Sequence, residues 1–179
     1  MQQAEKKGSS KLMDVFETYR MANICSKRLN STVNSLLADI CGQIGVGCLT
    51  AQQYLILEAL DDVAWWEAYA PRHKELESCP RPSPGMVLQQ DLAGYLASEP
   101  TTVCACAKRL EAAGGYISRQ ANQSGKWRAV WVGLSPEGKR VFSLLRPRLI
   151  SALKETGFAP KAADMESLGR LCGALRSKG

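Results

Sequence analysis

The feature that most constrains this chain is a regular apolar pattern between Leu12 and Ile44. Apolar residues recur there at alternating steps of four and three, which places them on one stripe of an α-helix. This stripe, called the seam below, contains Val15, Tyr19, Ala22, Leu29, Val33, Leu36 and Ile40. A helix of roughly 30 residues spans about 45 Å, more than a small domain can cover by itself. The sequence therefore predicts that a second copy of the chain packs against the seam.

Composition indicates a folded, globular protein. The chain has 179 residues, of which 45% are hydrophobic and 22% charged, a balance typical of one compact domain or two intimate lobes. Residues 1–11 lack an apolar stretch of signal-peptide length, and no later run approaches the roughly 20 apolar residues that a membrane span needs. We therefore expect a cytoplasmic protein with no membrane partner.

The residue types that carry catalysis or bind metals are not grouped in this sequence. Seven cysteines are scattered without metal-ligand spacing, and His73 is the only histidine. Most of the thiols are expected to be free in a reducing compartment, and buried ones behave as small hydrophobes. There is no nucleophile elbow and no phosphate-binding glycine loop. We predict no metal, no cofactor and no enzymatic activity.

Capping and breaking residues divide the chain after the first helix. Thr50 and Gln53 form a capping box that begins a second helix. The Pro-rich segment Ser78–Gly85 cannot hold regular structure and is assigned to a loop. We place this loop in an insertion at about residues 62–86.

Between residues 88 and 134 the expected order is two short helices, a glycine pair and a hairpin. The helices are predicted over Leu88–Ala97 and Pro100–Ala113, and Gly114-Gly115 ends the second one. Strands follow at Tyr116–Arg119 and Val130–Leu134. Two helices joined by a tight turn and followed by a hairpin are typical of the winged helix-turn-helix, whose second helix enters the major groove of DNA.

Two helices are predicted to close the chain. One begins at Ser135 and runs past Pro147, which should kink or interrupt it, and the other covers Lys161–Leu175. The fold class is mainly α with a small β-hairpin wing, a winged helix-turn-helix with long N- and C-terminal dimerisation helices. The predicted parts are a dimerisation helix at 1–48, a DNA-binding lobe at 49–134 and dimerisation helices at 135–179.

The distribution of charge agrees with a polyanionic partner. The formal net charge is +6. The segment between Ser98 and Leu134 contains five basic residues and only two acidic ones, Glu99 and Glu111. Neutralisation of phosphates supplies most of the non-specific affinity for DNA. We therefore expect double-stranded DNA to lie against this part of the chain.

The chain resembles the multiple-antibiotic-resistance-regulator (MarR) family of bacterial repressors. The resemblance covers about Leu49 to Leu145 and rests on Leu49–Leu57, Gln90–Ala93, Pro100–Val103 and Lys108–Glu111. It is most specific at Arg128–Gly138, which is similar to the family's wing arginine, strand and Leu-Ser/Thr-Gly signature. The resemblance implies a homodimer that binds a palindromic operator. The DNA-binding residues it implies are Gln89, Thr101, Thr102, Cys104, Ala105, Lys108, Arg109, Arg119, Lys126, Trp127 and Arg128.

The chain departs from the family's pattern at two positions that bear on DNA contact. Lys126 stands where the wing motif usually has an Asp, and Ala105 stands where a longer polar residue often reaches DNA. The customary Asp–Arg pairing of the wing is therefore absent, and Lys126 is a candidate for phosphate contact.

The resemblance also implies a regulating signal. Relatives bind phenols or aromatic carboxylates between the dimer helices and the DNA-binding lobe, and the candidates here are Tyr19, Arg20, Arg28 and Tyr54. The principal hypothesis is thus a repressor that such an effector releases from DNA. Two alternatives stay open: a redox-sensing repressor that uses Cys25 or Cys104, and a winged-helix module that binds protein or RNA.

Overall fold

The computed structural model describes residues 2–62, 83–121, 129–158, 160, 161, 163, 164 and 166, and for residues 2–19 it describes the helical backbone only. Within these ranges the chain forms five helices, α1 to α5, and one three-stranded antiparallel sheet. This architecture confirms the predicted fold class of a mainly helical protein with a small sheet. None of the described helices is long and apolar enough to cross a membrane.

Helix α1 covers Gln2–Ile44. Its end agrees with the prediction, but it begins ten residues before Leu12 because the polar residues there, mostly Gln, Ala, Glu and Lys, are good helix formers. The helix stops where Gly45 adopts a positive φ of 69°. The Val46 N–H then donates to the Cys41 carbonyl at 3.0 Å, which closes the last turn.

The seam of α1 has two environments, and this corrects part of the prediction. Val33 and Leu36 are half-buried and Ile40 is 5% exposed, because the last turns of α1 pack on the chain's own core. Ala22 and Leu29 are exposed. The side chains of Val15 and Tyr19 lie outside the described residues. A partner chain is thus not needed to cover the C-terminal part of the seam.

Helix α2 covers Ala51–Asp61 and begins as the sequence predicts. The Thr50 hydroxyl accepts from the Gln53 N–H at 3.3 Å, and the Gln53 amide oxygen accepts from the Thr50 N–H at 2.8 Å, which confirms the capping box. The Asn34 side-chain oxygen accepts from the Ala51 N–H at 2.7 Å and so ties α1 to the start of α2. Residues 63–82, with most of the predicted insertion, lie outside the described residues.

Helices α3 and α4 cover Gln89–Tyr95 and Pro100–Gly114. Both are close to their predicted limits, although α3 is shorter because Ala97 has a positive φ of 46° and belongs to the turn. The C-cap of α4 is Gly115, whose φ of 63° lies in the left-handed region that favours glycine.

The sheet contains one strand that the sequence analysis missed. Strands β2 (Ile117–Ala121) and β3 (Val130–Leu134) form the predicted hairpin. The additional strand β1, Val87–Leu88, pairs antiparallel with the other edge of β3 and gives the order β1-β3-β2. The two faces of β3 pack differently, since Val132 lies in the main core and Trp131 packs against Met86.

Helix α5 covers Pro136–Glu155. The Ser135 hydroxyl caps it by accepting from the Gly138 N–H at 2.9 Å. The helix is continuous through Pro147, which excludes the second of the two predicted effects, a kink or an interruption. The helix ends near Gly157, as expected. The predicted last helix falls mainly on residues outside the described ranges, including Leu168, Leu171 and Leu175.

One apolar core joins the elements. It contains Leu37, Ile40 and Cys41 of α1 together with buried residues from α2, α3, α4, the sheet and α5. Tyr54 packs there against Phe142, with ring centroids 5.6 Å apart. The end of α1 and the first half of α5 are therefore part of the same packed unit as the helix-turn-helix, and this unit fixes the direction in which α4 points.

Candidate DNA-binding surface

The turn between α3 and α4 is held by backbone and side-chain bonds. The Ser98 N–H donates to the Ala93 carbonyl at 3.0 Å, and the Leu96 N–H donates to the Leu92 carbonyl at 3.0 Å. From outside the motif, the Gln52 side chain of α2 donates to the Ser98 hydroxyl at 3.0 Å. The angle between α3 and α4 is therefore set by bonds within the turn and by one bond from α2.

Helix α4 has one buried and one exposed face. Its buried residues are Val103, Cys106, Ala107 and Leu110. Its exposed residues at the positions predicted to contact DNA are Thr101, Thr102, Ala105, Lys108 and Arg109. Their spacing of three and four places them along one side of the helix. The structure thus brings five of the predicted residues together on a surface with two hydroxyls and two positive charges, called the α4 face below.

The described cysteines differ in exposure. Cys104 is half-buried beside the α4 face, and Cys25 is exposed on α1. Burial raises the pKa of the Cys41 and Cys106 thiols, so both stay protonated and pack as small apolar groups. These two buried thiols agree with the expected structural role.

Arg119 of β2 does not point freely outward. Its guanidinium lies 3.2 Å from the Glu111 carboxylate of α4 and donates to the Gln89 amide oxygen of α3 at 3.4 Å. The side chain is only 15% exposed, and its buried Nε has no hydrogen-bond partner among the described residues. Arg119 and Gln89, both predicted to contact DNA, are therefore joined to each other and link the wing to both helices.

The remaining predicted DNA contacts fall on the tip of the wing. Lys126, Trp127 and Arg128 lie outside the described residues. The strands that carry the tip are described, and Ile117 of β2 and Val132 of β3 are buried in the main core. The base of the wing is therefore anchored on the core.

The candidate effector residues are not assembled as expected. Arg20 and Arg28 are exposed on α1, and the side chain of Tyr19 is outside the described part. Tyr54 is buried against Phe142 of α5, and burial raises the pKa of its hydroxyl to about 12. The nearby charges acting on that hydroxyl are Glu58 and Arg146, not the arginines of α1.

A cavity that the sequence did not indicate lies beside Phe142. The cavity has a volume of about 510 Å³ and lies between α2, the end of α3 and α5. Arg146 is one turn after Phe142 on α5, so the helical spacing could have indicated that both reach the same side. The contribution of α3 depends on tertiary packing and has no local signal.

Comparisons with known proteins locate this architecture among bacterial regulators. No protein-family model and no curated protein sequence matches the chain significantly. Among solved structures, Sco3205 of Streptomyces coelicolor, described as a MarR family transcriptional regulator in complex with DNA, has a TM-score of 0.64 at 18% identity, with 90% of this chain and 86% of that chain covered. BpsR of Bordetella bronchiseptica, whose DNA binding is described as regulated by 6-hydroxynicotinic acid, has a TM-score of 0.62 at 18% identity. The match covers 89% of this chain and 98% of that chain.

A mutant of MarR from E. coli, solved with operator DNA, has a TM-score of 0.59 at 16% identity, with 90% of this chain and 95% of that chain covered. At these identities the likeness establishes the fold. The chain has the winged helix-turn-helix fold of MarR-family transcriptional regulators, and the resemblance seen in its motifs is confirmed at that level. These structural neighbours are regulators and not enzymes.

Proposed function

We propose that the protein is a sequence-specific DNA-binding transcriptional regulator of the MarR type, and that it acts as a repressor. The observation that carries this proposal is the α4 face. Its exposed hydroxyl and basic side chains share one side of a helix whose other side is fixed in the core. Such a helix can enter a major groove as a rigid body without disturbing its own packing.

The chemistry of the α4 face supports both base readout and phosphate contact. Thr101 and Thr102 lie in the first turn of α4, where short hydroxyl side chains reach base edges or phosphates. Lys108 and Arg109 follow two turns later and supply positive charge for the DNA backbone. The one acidic residue in the last turns, Glu111, is paired with Arg119 and so repels phosphates less.

Arg119 and the wing complete the proposed interface. We assign Arg119 a positioning role, because its guanidinium is paired with Glu111 and Gln89. The wing tip residues Lys126 and Arg128 are proposed to contact phosphate or the minor groove. Specificity then comes mainly from α4, and the wing adds affinity for any sequence.

A homodimer is proposed from the apolar side chains that remain exposed. On α1, Met21 is 48% exposed and Ile24 and Leu29 are each 37% exposed. On and after α5, Ile150 and Phe158 are each 44% exposed. A second copy that covers these residues would remove apolar surface from water. A two-fold dimer would present two α4 faces and therefore fit a palindromic operator.

The proposed signal is a small aromatic carboxylate or phenol that releases the operator. We locate its site in the cavity between α2, α3 and α5. The cavity offers the rings of Phe142 and Tyr95 and the guanidinium of Arg146, which suit an aromatic ring and a carboxylate. A hundredfold tighter binding to the DNA-free dimer would supply about 2.7 kcal/mol of coupling, within the usual range for allostery.

The experiment is a binding titration with DNA from upstream of the protein's own and neighbouring genes. We expect one palindromic fragment to bind roughly a thousandfold or more tightly than random DNA of equal length, as specific regulators do. Benzoates and phenols are then added under reducing conditions. Equal affinity for all DNA, or tighter binding to RNA, would contradict the proposal. Release by peroxide alone, abolished in Cys25→Ser or Cys104→Ser, would replace the ligand signal with a redox signal.

A further inference from the structure

The cavity between α2, α3 and α5 has charges of both signs on different walls. Glu58 and Asp61 line it from α2, and Arg146 lines it from α5. Among the residues that the structure describes, neither Glu58 nor Arg146 has a salt-bridge partner, and the two are not paired with each other. A carboxylate and a guanidinium therefore face the same space across a gap.

The Tyr54 hydroxyl lies within the electrostatic range of both charges. Burial raises its pKa to about 12, the Glu58 charge acts in the same direction, and Arg146 acts against them. The hydroxyl is thus a neutral group that can donate or accept a hydrogen bond at ordinary pH. Tyr54 itself does not line the cavity but packs on Phe142, which does.

The remaining lining residues are Asp62, a third carboxylate, and five apolar or aromatic residues. The Phe142 ring packs against Tyr54 with centroids 5.6 Å apart, and the Arg146 guanidinium lies 6.0 Å from the Phe142 centroid. Leu55 and Tyr95 are further lining residues. The cavity volume of about 510 Å³ lies within the range of small-molecule sites. It is large enough for an aromatic ring with two substituents.

We propose that the effector is a zwitterion, an aromatic carboxylate that also carries an ammonium group. Its carboxylate would pair with Arg146, its ammonium with Glu58 and Asp61, and its ring would lie against Phe142 and Tyr95. This inference rests on the proposed function, because it names the effector class of the same cavity. A simple aromatic carboxylate pairs with Arg146 but brings a further negative charge toward the carboxylates of the α2 wall, where like charges repel.

The position of the cavity connects its occupant to DNA binding. Tyr95 is the last residue of α3 and Leu96 follows it in the turn that leads to α4, and both line the cavity. A ligand that pulls the α2 and α5 walls together would press on this turn. Displacement of the turn moves the α4 face relative to the rest of the dimer, which is how occupancy would lower operator affinity.

The test uses calorimetric titration of the full chain without DNA. One probe series is 4-(aminomethyl)benzoate with its single-charge analogues 4-methylbenzoate and 4-methylbenzylamine. A second series is phenylalanine, whose charges are adjacent, with 3-phenylpropionate and phenethylamine. We expect at least one zwitterion to bind tenfold or more tightly than both of its analogues. If neither does so, the inference is overturned.

Variants test which side chain binds each charge of the zwitterion. Glu58→Gln should abolish the preference over the carboxylate analogue, and Arg146→Gln should abolish the preference over the amine analogue. Arg148→Gln and Glu155→Gln, exposed on the same helix outside the cavity, are matched controls and should leave the tenfold preference unchanged. Loss of the preference in the controls would contradict the assignment. A variant that melts at a lower temperature is replaced by Glu58→Asp or Arg146→Lys, which keep the charge and should keep the sign of the preference.

These experiments can contradict the proposed regulator or the proposed zwitterion independently of each other. Zwitterion binding without any operator would remove the proposed regulator and leave the cavity assignment intact. Operator binding released equally well by 4-methylbenzoate would keep the regulator and overturn the zwitterion.

Discussion

The guanidinium of Arg119 on β2 lies 3.2 Å from the carboxylate of Glu111 on α4. This contact joins the first strand of the wing to the helix whose exposed face is proposed to read DNA. Because Arg119 is mostly covered, the pair is less screened by water than a surface pair. This ion pair therefore helps to fix the orientation of the wing relative to α4.

The first prediction concerns this pair. A double-mutant cycle with Arg119→Ala and Glu111→Ala should give a coupling of about 1 kcal/mol in urea unfolding, between the values of exposed and buried pairs. The control cycle is Arg140 and Glu137, a pair on α5 whose arginine is 56% exposed against 15% for Arg119, and its coupling should be smaller. A coupling for Arg119–Glu111 no larger than that of the control would show that the contact does not hold the wing.

The second prediction separates base reading from charge. Thr102→Ala should cost about 1–3 kcal/mol on the operator and much less on random DNA, because the hydroxyl is proposed to contact bases. Thr156→Ala, at the exposed end of α5, is the control and should change neither affinity. Equal losses on both DNAs would mean that Thr102 does not discriminate sequence. Fluorescence anisotropy titrations with both DNAs measure the difference.

The third prediction concerns phosphate contacts. Lys108→Ala should weaken binding to all sequences alike and reduce the slope of log affinity against log salt by about one unit. Arg128→Ala at the wing tip is expected to behave in the same way. Lys154→Ala, exposed in the last turn of α5, should leave the slope unchanged. An unchanged slope in Lys108→Ala would place this lysine away from the DNA.

The fourth prediction concerns the start of α5. A Cβ at Gly138 would collide with the carbonyl oxygen of Tyr116 and lie 2.9 Å from Leu134 Cδ2. Gly138→Ala should therefore destabilise the fold by about 3 kcal/mol, since backbone atoms cannot move aside as a side chain can. Gly94→Ala is the contrast: nothing lies within 4 Å of its added Cβ, so stability should hold or rise. Thermal unfolding of both variants decides the point.

The fifth prediction concerns alkaline pH. The pKa of Tyr54 is raised to about 12 in the folded chain, whereas an unfolded tyrosine ionises near pH 10. Between these values the unfolded state releases its proton first, so folding stability should fall as pH rises from about 10 to 12. Tyr54→Phe keeps the ring and removes the hydroxyl, so the folding stability of this variant should fall less over this range. Equal slopes for both proteins in urea unfolding would contradict the buried assignment.

Much of the fold follows from local sequence signals. The capping box of Thr50 and Gln53 begins α2, and Gly115 ends α4. Both signals act over three or four residues, so they could be interpreted directly from the sequence. Strand β1 could not, because Val87 pairs with Val132, which is far along the chain, and two residues give no period. The end of the seam was assigned to a partner because periodicity shows which residues share a stripe but not which surface covers it.

The candidate site was predictable to a similar degree. The α4 face followed from helical spacing and from resemblance. The contact of Arg119 with Glu111 and Gln89 depends on the angle between β2 and two helices, which no local pattern encodes. The cavity lined by Glu58 and Arg146 was missed for the same reason: its walls come from helices far apart in sequence.

The division of α4 into two faces has an evolutionary consequence. The residues that hold the helix in the core, Val103, Cys106, Ala107 and Leu110, are different from those on the α4 face. If the α4 face reads DNA as proposed, substitutions at Thr101, Thr102 or Ala105 would change the base contacts without creating a cavity or a clash in the core. A gene duplicate could then acquire a new operator through a few such changes, while the selection that keeps the chain folded acts on a separate set of positions.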